Sequence, residues 1–286
     1  MTSGAAPDKA AVLLEALPYI RTWRRRTIVV KVGGQALDDP ASASVVAEDL
    51  ALLSLVGVQL VVVHGGGPQV SDAMRAAGVQ PSFVDGLRVT DDTTMEIVRR
   101  VLVGSINNDL VARLARAGLQ AVGLTGADGA TVIARKLTSE SGDLGRVGEV
   151  DRVDAGLLTT LLERGYTPLL ASVAPDAQGD PLNVNADAVA GAVAGSLQAE
   201  KLVYLTNVEG LYRDLGDAGS LISEMKSDEL RSIAPSLSSG MQPKAISILA
   251  ALEQGVGKAH ILDGRVPHAL LLEIFTDEGI GTQVLP

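Results

Sequence analysis

The sequence predicts an α/β protein built on a mostly parallel β-sheet. Twice near the N-terminus, an apolar run is followed by a glycine turn and then by a segment with helical periodicity. The run at 27–32 leads into two glycines, and the run at 59–63 leads into a histidine and three glycines. Strands that alternate with helices in this order are typical of parallel sheets, because a helix is the usual crossover between parallel strands.

The same alternation continues along the rest of the chain. The spacing of apolar residues predicts helices at 11–23, 43–56, 69–77, 93–117, 155–164, 186–196, 227–233 and 244–254. Apolar runs predict strands at 27–32, 59–63, 121–124, 167–170, 201–205 and 259–262. Pro18 lies inside the first helical pattern and predicts a break or a kink there. The polar, glycine-bearing stretch at 138–148 predicts a hairpin or flap.

The composition excludes several classes of function. Of 286 residues, 47% are hydrophobic, which is enough for one large α/β domain or two smaller ones. There is no cysteine, so disulfides, zinc–thiolate sites and thiol nucleophiles are ruled out. The formal charge of −10 argues against a general nucleic-acid binder. No secretory signal and no membrane-spanning apolar run is recognisable, so we expect a soluble, cytoplasmic protein.

Lys31 is placed to meet a phosphate group. It interrupts the first apolar run just before Gly33 and Gly34, at the strand end where open α/β sheets bind ligands. An ammonium group and glycine N–H groups suit the same anionic oxygens. Taken alone, so short a segment is better explained by a surface lysine before an ordinary turn. The three glycines at 65–67 exceed what a tight turn needs, which favours close approach of an anion to the following helix.

Five polar residues further along are candidates for the same site. Arg88 suits bidentate binding of a carboxylate, although an isolated arginine is more often a surface residue. Asn185 fits a helix cap, whereas a structural role explains Asn183 and Asp187 less well, because a carboxylate in the first helical turn beside apolar residues suggests a partner lysine. Lys244 is a second lysine at a glycine-bearing helix entry.

Common nucleotide and metal motifs are absent from the sequence. No P-loop or dinucleotide-binding fingerprint is present. His64, His260 and His268 lack the spacing of a metal-binding pair, so we nominate no protein metal ligand. For His64, a place lining a site and a purely structural role are equally supported.

Six short motifs occur in the order found in the amino-acid kinase family. They are Lys31-Val-Gly-Gly, His64-Gly-Gly-Gly-Pro, Gly86-Leu-Arg-Val-Thr, Asn183-Val-Asn-Ala-Asp187, Thr206-Asn-Val-Glu-Gly210 and Gly240-Met-Gln-Pro-Lys244. From about Ile20 to the C-terminus, the chain therefore resembles that family. The resemblance implies a three-layer αβα sandwich around a mainly parallel open sheet. The segments at 86–90, 271–276 and 279–282 resemble the members that act on N-acetyl-L-glutamate.

The resemblance implies a phosphoryl transfer from ATP to the side-chain carboxylate of N-acetyl-L-glutamate, a step of arginine biosynthesis. Lys31 and Lys244 would then neutralise the moving phosphoryl group, and Asp187 would position both lysines. Mg²⁺ is expected chiefly on the phosphate oxygens. By motif, the substrate residues are Gly66, Gly67, Arg88 and Asn183. The nucleotide and phosphate residues are Gly33, Gly34, Thr206, Asn207, Gly210, Leu211 and Gly240. Asn207 stands where the family often has aspartate.

The N-terminal helix resembles that of the arginine-inhibited members, in which it joins dimers into a hexameric ring. The resemblance therefore implies a helical extension at 1–24 and a kinase domain at 25–286, with an acid-substrate lobe at about 25–180 and a nucleotide lobe at about 181–286. It also implies an arginine site, with Tyr19, His260, Glu273 and Gly279 as the best matches. Plain helix docking and strand packing explain these four residues equally well.

Two other functions remain open from the sequence. One is a kinase for a longer homologue, such as an N-modified aminoadipate. The other is a catalytically silent, arginine-sensing scaffold of the same fold. The presence of Lys31, Asp187 and Lys244 counts against the scaffold, because a binding module does not need two lysines directed at a phosphoryl group.

Overall fold

The computed structural model describes residues 6–33, 39–140, 142–214, 217–276 and 279–286. The α-helices are α1 (Ala6–Trp23), α2 (Pro40–Leu55), α3 (Gly67–Ala76), α4 (Asp92–Arg99), α5 (Asn108–Arg116), α6 (Gly156–Glu163), α7 (Ala186–Ser196), α8 (Ser227–Ile233), α9 (Gln242–Glu253) and α10 (Ala269–Phe275). A π-helix, Arg100–Asn107, joins α4 to α5. The strands are β1 (Thr27–Val32), β2 (Gln59–His64), β3 (Phe83–Val84), β4 (Leu87–Arg88), β5 (Ala121–Leu124), β6 (Val132–Lys136), β7 (Val147–Val153), β8 (Thr167–Ala171), β9 (Val173–Pro175), β10 (Pro181–Val184), β11 (Lys201–Thr206), β12 (Glu224–Lys226), β13 (Ala259–Asp263) and β14 (Thr282–Leu285).

The main sheet has eight strands in the order β12-β14-β13-β11-β1-β2-β8-β5. Six consecutive strands, β13-β11-β1-β2-β8-β5, are parallel to one another. The next strand, β14, runs antiparallel to β13. β1 lies near the centre and is apolar on both faces, as expected for a strand covered by helices on both sides. The predicted, mainly parallel sheet is confirmed.

Two helical layers cover this sheet. On β1, Ile28 and Val30 pack into a core with Trp23 and with residues of α2 and α10. Val29 faces the opposite core, which contains residues of α7 and α9. Because side chains alternate along a strand, Lys31 falls on the same face as Val29, toward α7. The αβα layering implied by the resemblance is confirmed, and no helix of the described residues is both long and apolar enough to cross a bilayer.

Two small sheets flank the carboxyl edge of the main sheet. One has the order β6-β7-β10-β9, and the other pairs β3 with β4. The antiparallel strands β6 and β7 are the arms on either side of the predicted hairpin. The sequence predicted none of the strands of these two sheets and indicated only a hairpin or flap at 138–148, because β3, β4, β9 and β10 are too short to show a clear period. β10 carries Asn183, so this small sheet positions a candidate site residue.

Two helical predictions differ from the structure. The helix is not broken at Pro18, because α1 continues through it to Trp23. Trp23, which is buried, and Tyr19, which packs on the same core, hold the helix beyond the proline against the protein. The single helix predicted at 93–117 contains the π-helix in its middle. The division into lobes at about residue 181 stays a prediction.

Candidate active site

A cavity of about 250 Å³ opens at the carboxyl ends of β1 and β2. Its lining includes Lys31, Gly33, Gly65, Gly66, Gly67, Arg88, Asn183 and Asp187. Ligands of open α/β sheets bind at this edge, and the volume suits a small metabolite. The structure thus gathers into one cavity the four residues that the sequence assigned to the acid substrate, together with Lys31, Asp187 and Gly33.

Lys31, Asp187 and Lys244 form a charged triad, of which Lys31 and Asp187 line this cavity and Lys244 lies behind Asp187. Lys31 Nζ lies 2.9 Å from Asp187 Oδ1, and Lys244 Nζ lies 2.8 Å from Asp187 Oδ2. The three residues come from β1, α7 and α9. Asn185 caps α7 and accepts a hydrogen bond from the backbone N–H of Asp187. This bond fixes the position of Asp187 at the start of the helix.

The triad carries one unbalanced positive charge, because two ammonium groups share one carboxylate. Burial would raise the pKa of Asp187, but the charges of Lys31 and Lys244 outweigh it and hold that pKa below its usual value. Burial lowers the pKa of Lys244, and Asp187 opposes the shift. Lys31 retains 14% side-chain exposure and Lys244 only 4%, so Lys31 is the more accessible of the two cations.

Tyr204 contacts the triad, and the sequence gave this residue no role. The Lys244 ammonium lies 5.0 Å from the centre of its ring. The Tyr204 hydroxyl and the Ser247 hydroxyl are 2.7 Å apart, and the Ser247 hydroxyl donates to the Asp187 carbonyl. Tyr204 lies beside Lys31 in the pairing of β1 with β11, so pairing the two predicted strands in this register would have revealed it.

Two glycines of the cavity are required by close packing. A Cβ on Gly33 would lie 2.5 Å from Lys31 Nζ, so glycine lets the ammonium group fold over the strand end. A Cβ on Gly66 would lie 2.3 Å from Ile106 Cδ1 and 2.7 Å from Leu102 Cδ2. At Gly67 a Cβ would meet nothing within 4 Å. Gly34 lies outside the described residues.

Arg88 is a buried cation in the cavity wall. It is 9% exposed, and it donates to the Gly67 carbonyl and to the Ser71 hydroxyl, each at 2.8 Å. Its guanidinium also lies 4.8 Å from the centre of the Phe83 ring. Burial lowers the pKa of Arg88, with a smaller contribution from Arg75. Arg88 pairs with no acidic side chain of the described residues, so its charge is available to an anionic ligand.

Thr90 connects Arg88 to Asn183, and the sequence analysis gave it no role. The Thr90 hydroxyl donates to the Arg88 carbonyl at 2.7 Å and accepts from Asn183 Nδ2 at 3.1 Å. Because the hydroxyl proton is engaged by a carbonyl, the amide nitrogen of Asn183 must face Thr90. The Asn183 oxygen is therefore left to accept a hydrogen bond from a ligand in the cavity that Asn183 lines.

The nucleotide candidates lie apart from this cavity. Gly33 lines it, whereas Thr206, Asn207, Gly210, Leu211 and Gly240 do not. Thr206 ends β11 next to β1, at the same carboxyl edge of the sheet. The Leu211 N–H donates to the Thr282 hydroxyl at 2.8 Å, which fixes the loop after β11. Gly240 precedes α9 in open space.

The structure brings together the residues assigned to an arginine site and adds a cation among them. His260 Nε2 lies 3.2 Å from Glu273 Oε1, and Gly279 lies close to Glu273 Oε2. Tyr19 packs on the hydrophobic cluster that includes Trp23 and Ile274, next to Glu273 in sequence. Lys201, absent from the sequence assignment, is 1% exposed and donates to Glu273 Oε1. The Glu273 carboxylate is therefore already paired in this structure.

Burial shapes the protonation of this second cluster. It lowers the pKa of Lys201 to about 8, against the opposing charge of Glu273. Burial and the charges of Lys201 and Lys258 lower the pKa of His260 to about 2, so this imidazole is neutral. Its Nδ1 is buried and has no hydrogen-bond partner among the residues that the structure describes. The ring of Trp23 in α1 lies 5.4 Å from Lys201 Nζ, which links the N-terminal helix to the cluster.

The chain belongs to the Amino acid kinase family, which residues 26–263 match. It is 51% identical to the acetylglutamate kinase of Symbiobacterium thermophilum, over 98% of each chain. Its structure is similar to that of N-acetylglutamate synthase from Neisseria gonorrhoeae complexed with coenzyme A and N-acetyl-glutamate, with a TM-score of 0.87 and 31% identity over 97% of this chain. The same synthase complexed with coenzyme A and L-arginine gives a TM-score of 0.83 and 30% identity over 96% of this chain. This chain spans 63% and 65% of those longer synthase chains.

Proposed function

We propose that the protein phosphorylates the side-chain carboxylate of N-acetyl-L-glutamate with ATP, giving N-acetyl-L-glutamyl 5-phosphate for arginine biosynthesis. The observation that carries the proposal is the Lys31–Asp187–Lys244 triad beside Arg88. These four side chains place a net charge of two in the cavity region of a chain whose formal charge is −10. The two substrates are both anions, so local positive charge is needed to offset their repulsion from each other and from the acidic protein. The likeness to acetylglutamate kinases over nearly the full chain supports this substrate pair.

The reaction needs charge stabilisation and alignment, and it needs no general base. A carboxylate oxygen of the acid attacks the γ-phosphorus, the bond from that phosphorus to the bridging oxygen breaks, and ADP leaves with the electron pair. The nucleophile is already ionised, so no proton has to be removed. Lys31 and Lys244 stabilise the charge that develops on the transferring group, while Asp187 keeps both ammonium groups aimed at it.

The acid substrate is held by groups on the opposite side of the cavity. Arg88 binds its α-carboxylate, because a buried guanidinium without an acidic partner gains most from an anion. The free Asn183 oxygen accepts the N–H of the acetamido group. The backbone N–H groups of Gly66 and Gly67 face the reacting oxygens.

The nucleotide lies along the carboxyl edge of the sheet, over Gly33 and the loop after β11. Among the described residues, no group of three histidine or acidic side chains is close enough to hold a metal ion. Both oxygens of Asp187 are also engaged by lysines. This donor set fits Mg²⁺ that arrives on the nucleotide, since Mg²⁺ favours phosphate oxygens and water. Bound there, Mg²⁺ would neutralise charge on the β- and γ-phosphates.

We propose further that L-arginine binds near Glu273 and inhibits this cytoplasmic enzyme, and that the chain assembles as a hexamer of three dimers. Leu14 and Leu17 on α1 leave 67% and 38% of their surface exposed, which suits a helix that packs against another subunit. Glu273 is already paired with Lys201, so the arginine guanidinium would have to replace the Lys201 ammonium group at this carboxylate. Lys201 provides the free positive charge for the arginine carboxylate.

Trapping of the acyl phosphate with hydroxylamine tests the reaction. N-acetyl-L-glutamate should give hydroxamate with ATP and Mg²⁺, and glutamate, aspartate and N-acetyl-aminoadipate should give far less. A larger signal from the aminoadipate would transfer the proposal to the longer homologue. If no acid gives a signal, while arginine still binds in calorimetry, the protein is an arginine-sensing scaffold. Activity that stays flat during an arginine titration of the assembled protein would refute the inhibition.

A further inference from the structure

We propose that His64 and Asn107 are positioning residues, which orient the Gly65–Gly66 peptide so that the Gly66 N–H is presented to the reacting oxygens. This inference rests on the proposed function. His64 ends β2 and is fully buried, and Asn107 ends the π-helix and is 4% exposed. Neither side chain lines the cavity, so both act through the backbone between them and the ligand.

The hydrogen bonds of Asn107 determine which nitrogen of His64 carries the proton. Asn107 Nδ2 lies 3.0 Å from the Leu169 carbonyl and 3.0 Å from His64 Nε2. A carbonyl can only accept, so the amide nitrogen faces Leu169 and donates one proton there. Its second proton is directed at His64 Nε2, which must therefore be bare. The proton of the neutral ring lies on Nδ1.

That proton fixes the peptide that follows. His64 Nδ1 lies 3.0 Å from the Gly65 carbonyl and donates to it. In a trans peptide the carbonyl and the next N–H point in opposite directions. The Gly66 N–H therefore points away from His64, on the side of the cavity that Gly66 lines. No acceptor in the described part of the chain takes this N–H.

The π-helix explains how one element serves both the histidine and the glycine. Its buried residues are Leu102, Ile106 and Asn107. In a helix with i→i+5 hydrogen bonds, residues four and five positions apart both lie near the same face, whereas an α-helix would turn the fifth away. Leu102 and Ile106 thus pack close to Gly66, and Asn107 forms a hydrogen bond with His64. The π-helix therefore contacts both His64 and Gly66, at either end of the segment 64–66.

Nitrogen-15 NMR of histidine-labelled protein tests the proton position without any measurement of activity. The chain has three histidines, and the His64→Asn variant identifies the signals of His64 by their loss. At pH 7 we expect Nδ1 to show the shift and proton coupling of a protonated nitrogen, and Nε2 to show those of a bare one. The reverse pattern, or a doubly protonated ring, would overturn the inference. Failure of the hydroxamate assay would instead remove the proposed function and leave this result standing.

Two isosteric variants test the effect on turnover. The amide nitrogen of Asn occupies the place of Nδ1, whereas that of Gln occupies the place of Nε2. His64→Asn should keep the donor to Gly65 and stay within a few-fold of wild-type kcat. His64→Gln should lose about 100-fold in kcat, the cost of one misdirected backbone donor, with both KM values changed little. Equal losses in the two variants, or a loss confined to KM or to thermal stability, would contradict the positioning role.

Discussion

Variants that remove Lys244, Asp187 or both distinguish two roles of Lys244. One role is to balance the charge of Asp187, and the other is to stabilise the transferring phosphoryl group. Lys244→Met keeps the volume of the lysine stem over the Tyr204 ring and leaves Lys31 2.9 Å from Asp187, so the triad becomes neutral. Asp187→Asn leaves two ammonium groups without their shared carboxylate. The double variant leaves Lys31 alone and restores the net charge of one.

The stability of the three variants follows from the contacts. A charge pair at 2.9 Å amounts to roughly 6 kcal/mol at an effective dielectric constant of 20, most of which offsets desolvation. Asp187→Asn should therefore lower the free energy of unfolding by about 3–5 kcal/mol. Lys244→Met should cost about 1–3 kcal/mol, because Lys31 still compensates Asp187. The double variant should recover part of the loss caused by Asp187→Asn, because removing Lys244 relieves the repulsion between the two ammonium groups and leaves only Lys31, whose side chain is 14% exposed.

Turnover should not follow stability. Lys244→Met and the double variant should both lose about 10²- to 10³-fold in kcat, because each lacks one cation at the transferring group. Urea denaturation gives the unfolding free energies, and initial rates of ADP release give kcat and KM. If the double variant recovered turnover together with stability, Lys244 would serve only to balance Asp187, and its role toward the phosphoryl group would be refuted.

Arg88→Gln should raise the KM for the acid by about 100-fold with the KM for ATP unchanged, because a buried charge pair with the α-carboxylate is lost; an equal rise in both constants would argue against an acid-specific role. Thr90→Val should raise the KM for the acid about 10-fold by freeing the Asn183 amide, and Thr90→Ser should keep the wild-type value in the same initial-rate assay. Burial lowers the pKa of His64 from 6.5 to about 4, so its contribution to stability is complete above pH 6.5 and is lost as the pH falls through 4. Denaturation at pH 7 and pH 4 should therefore show wild type losing about 3 kcal/mol more than His64→Asn, and parallel losses would contradict the shift.

Most of the regular elements were predictable from local pattern. The strand Ala121–Leu124 and the helices Ala186–Ser196 and Ser227–Ile233 match their predicted bounds. The two- and three-residue strands β3, β4, β9 and β12 were missed because so few residues define no period, and the longer elements β6, β7, β10, β14 and α10 were missed as well. α1 is not broken at Pro18, because packing of Trp23 offsets the local cost of proline.

The candidate site was predictable as a set of residue types, and only in part as a set of contacts. Motif order singled out both lysines, Asp187 and Arg88. It did not single out Thr90, whose hydroxyl matters only because β10 carries Asn183 to it. Lys201 was missed for the same reason, since its partner Glu273 lies 72 residues away and the pairing depends on how β11 meets α10.

The sequence by itself determined the order of strands and helices, the glycine turns, and which cations stand at strand and helix ends. These features depend on neighbours within a few positions, so the period of the apolar residues and the identity of the turn residues are sufficient. Tertiary structure alone decided that one carboxylate is shared by two lysines, that the Asn183 oxygen faces the cavity, and that Glu273 is already paired. Each of these depends on side chains that are distant in sequence, and their distances are set by the packing of the whole sheet.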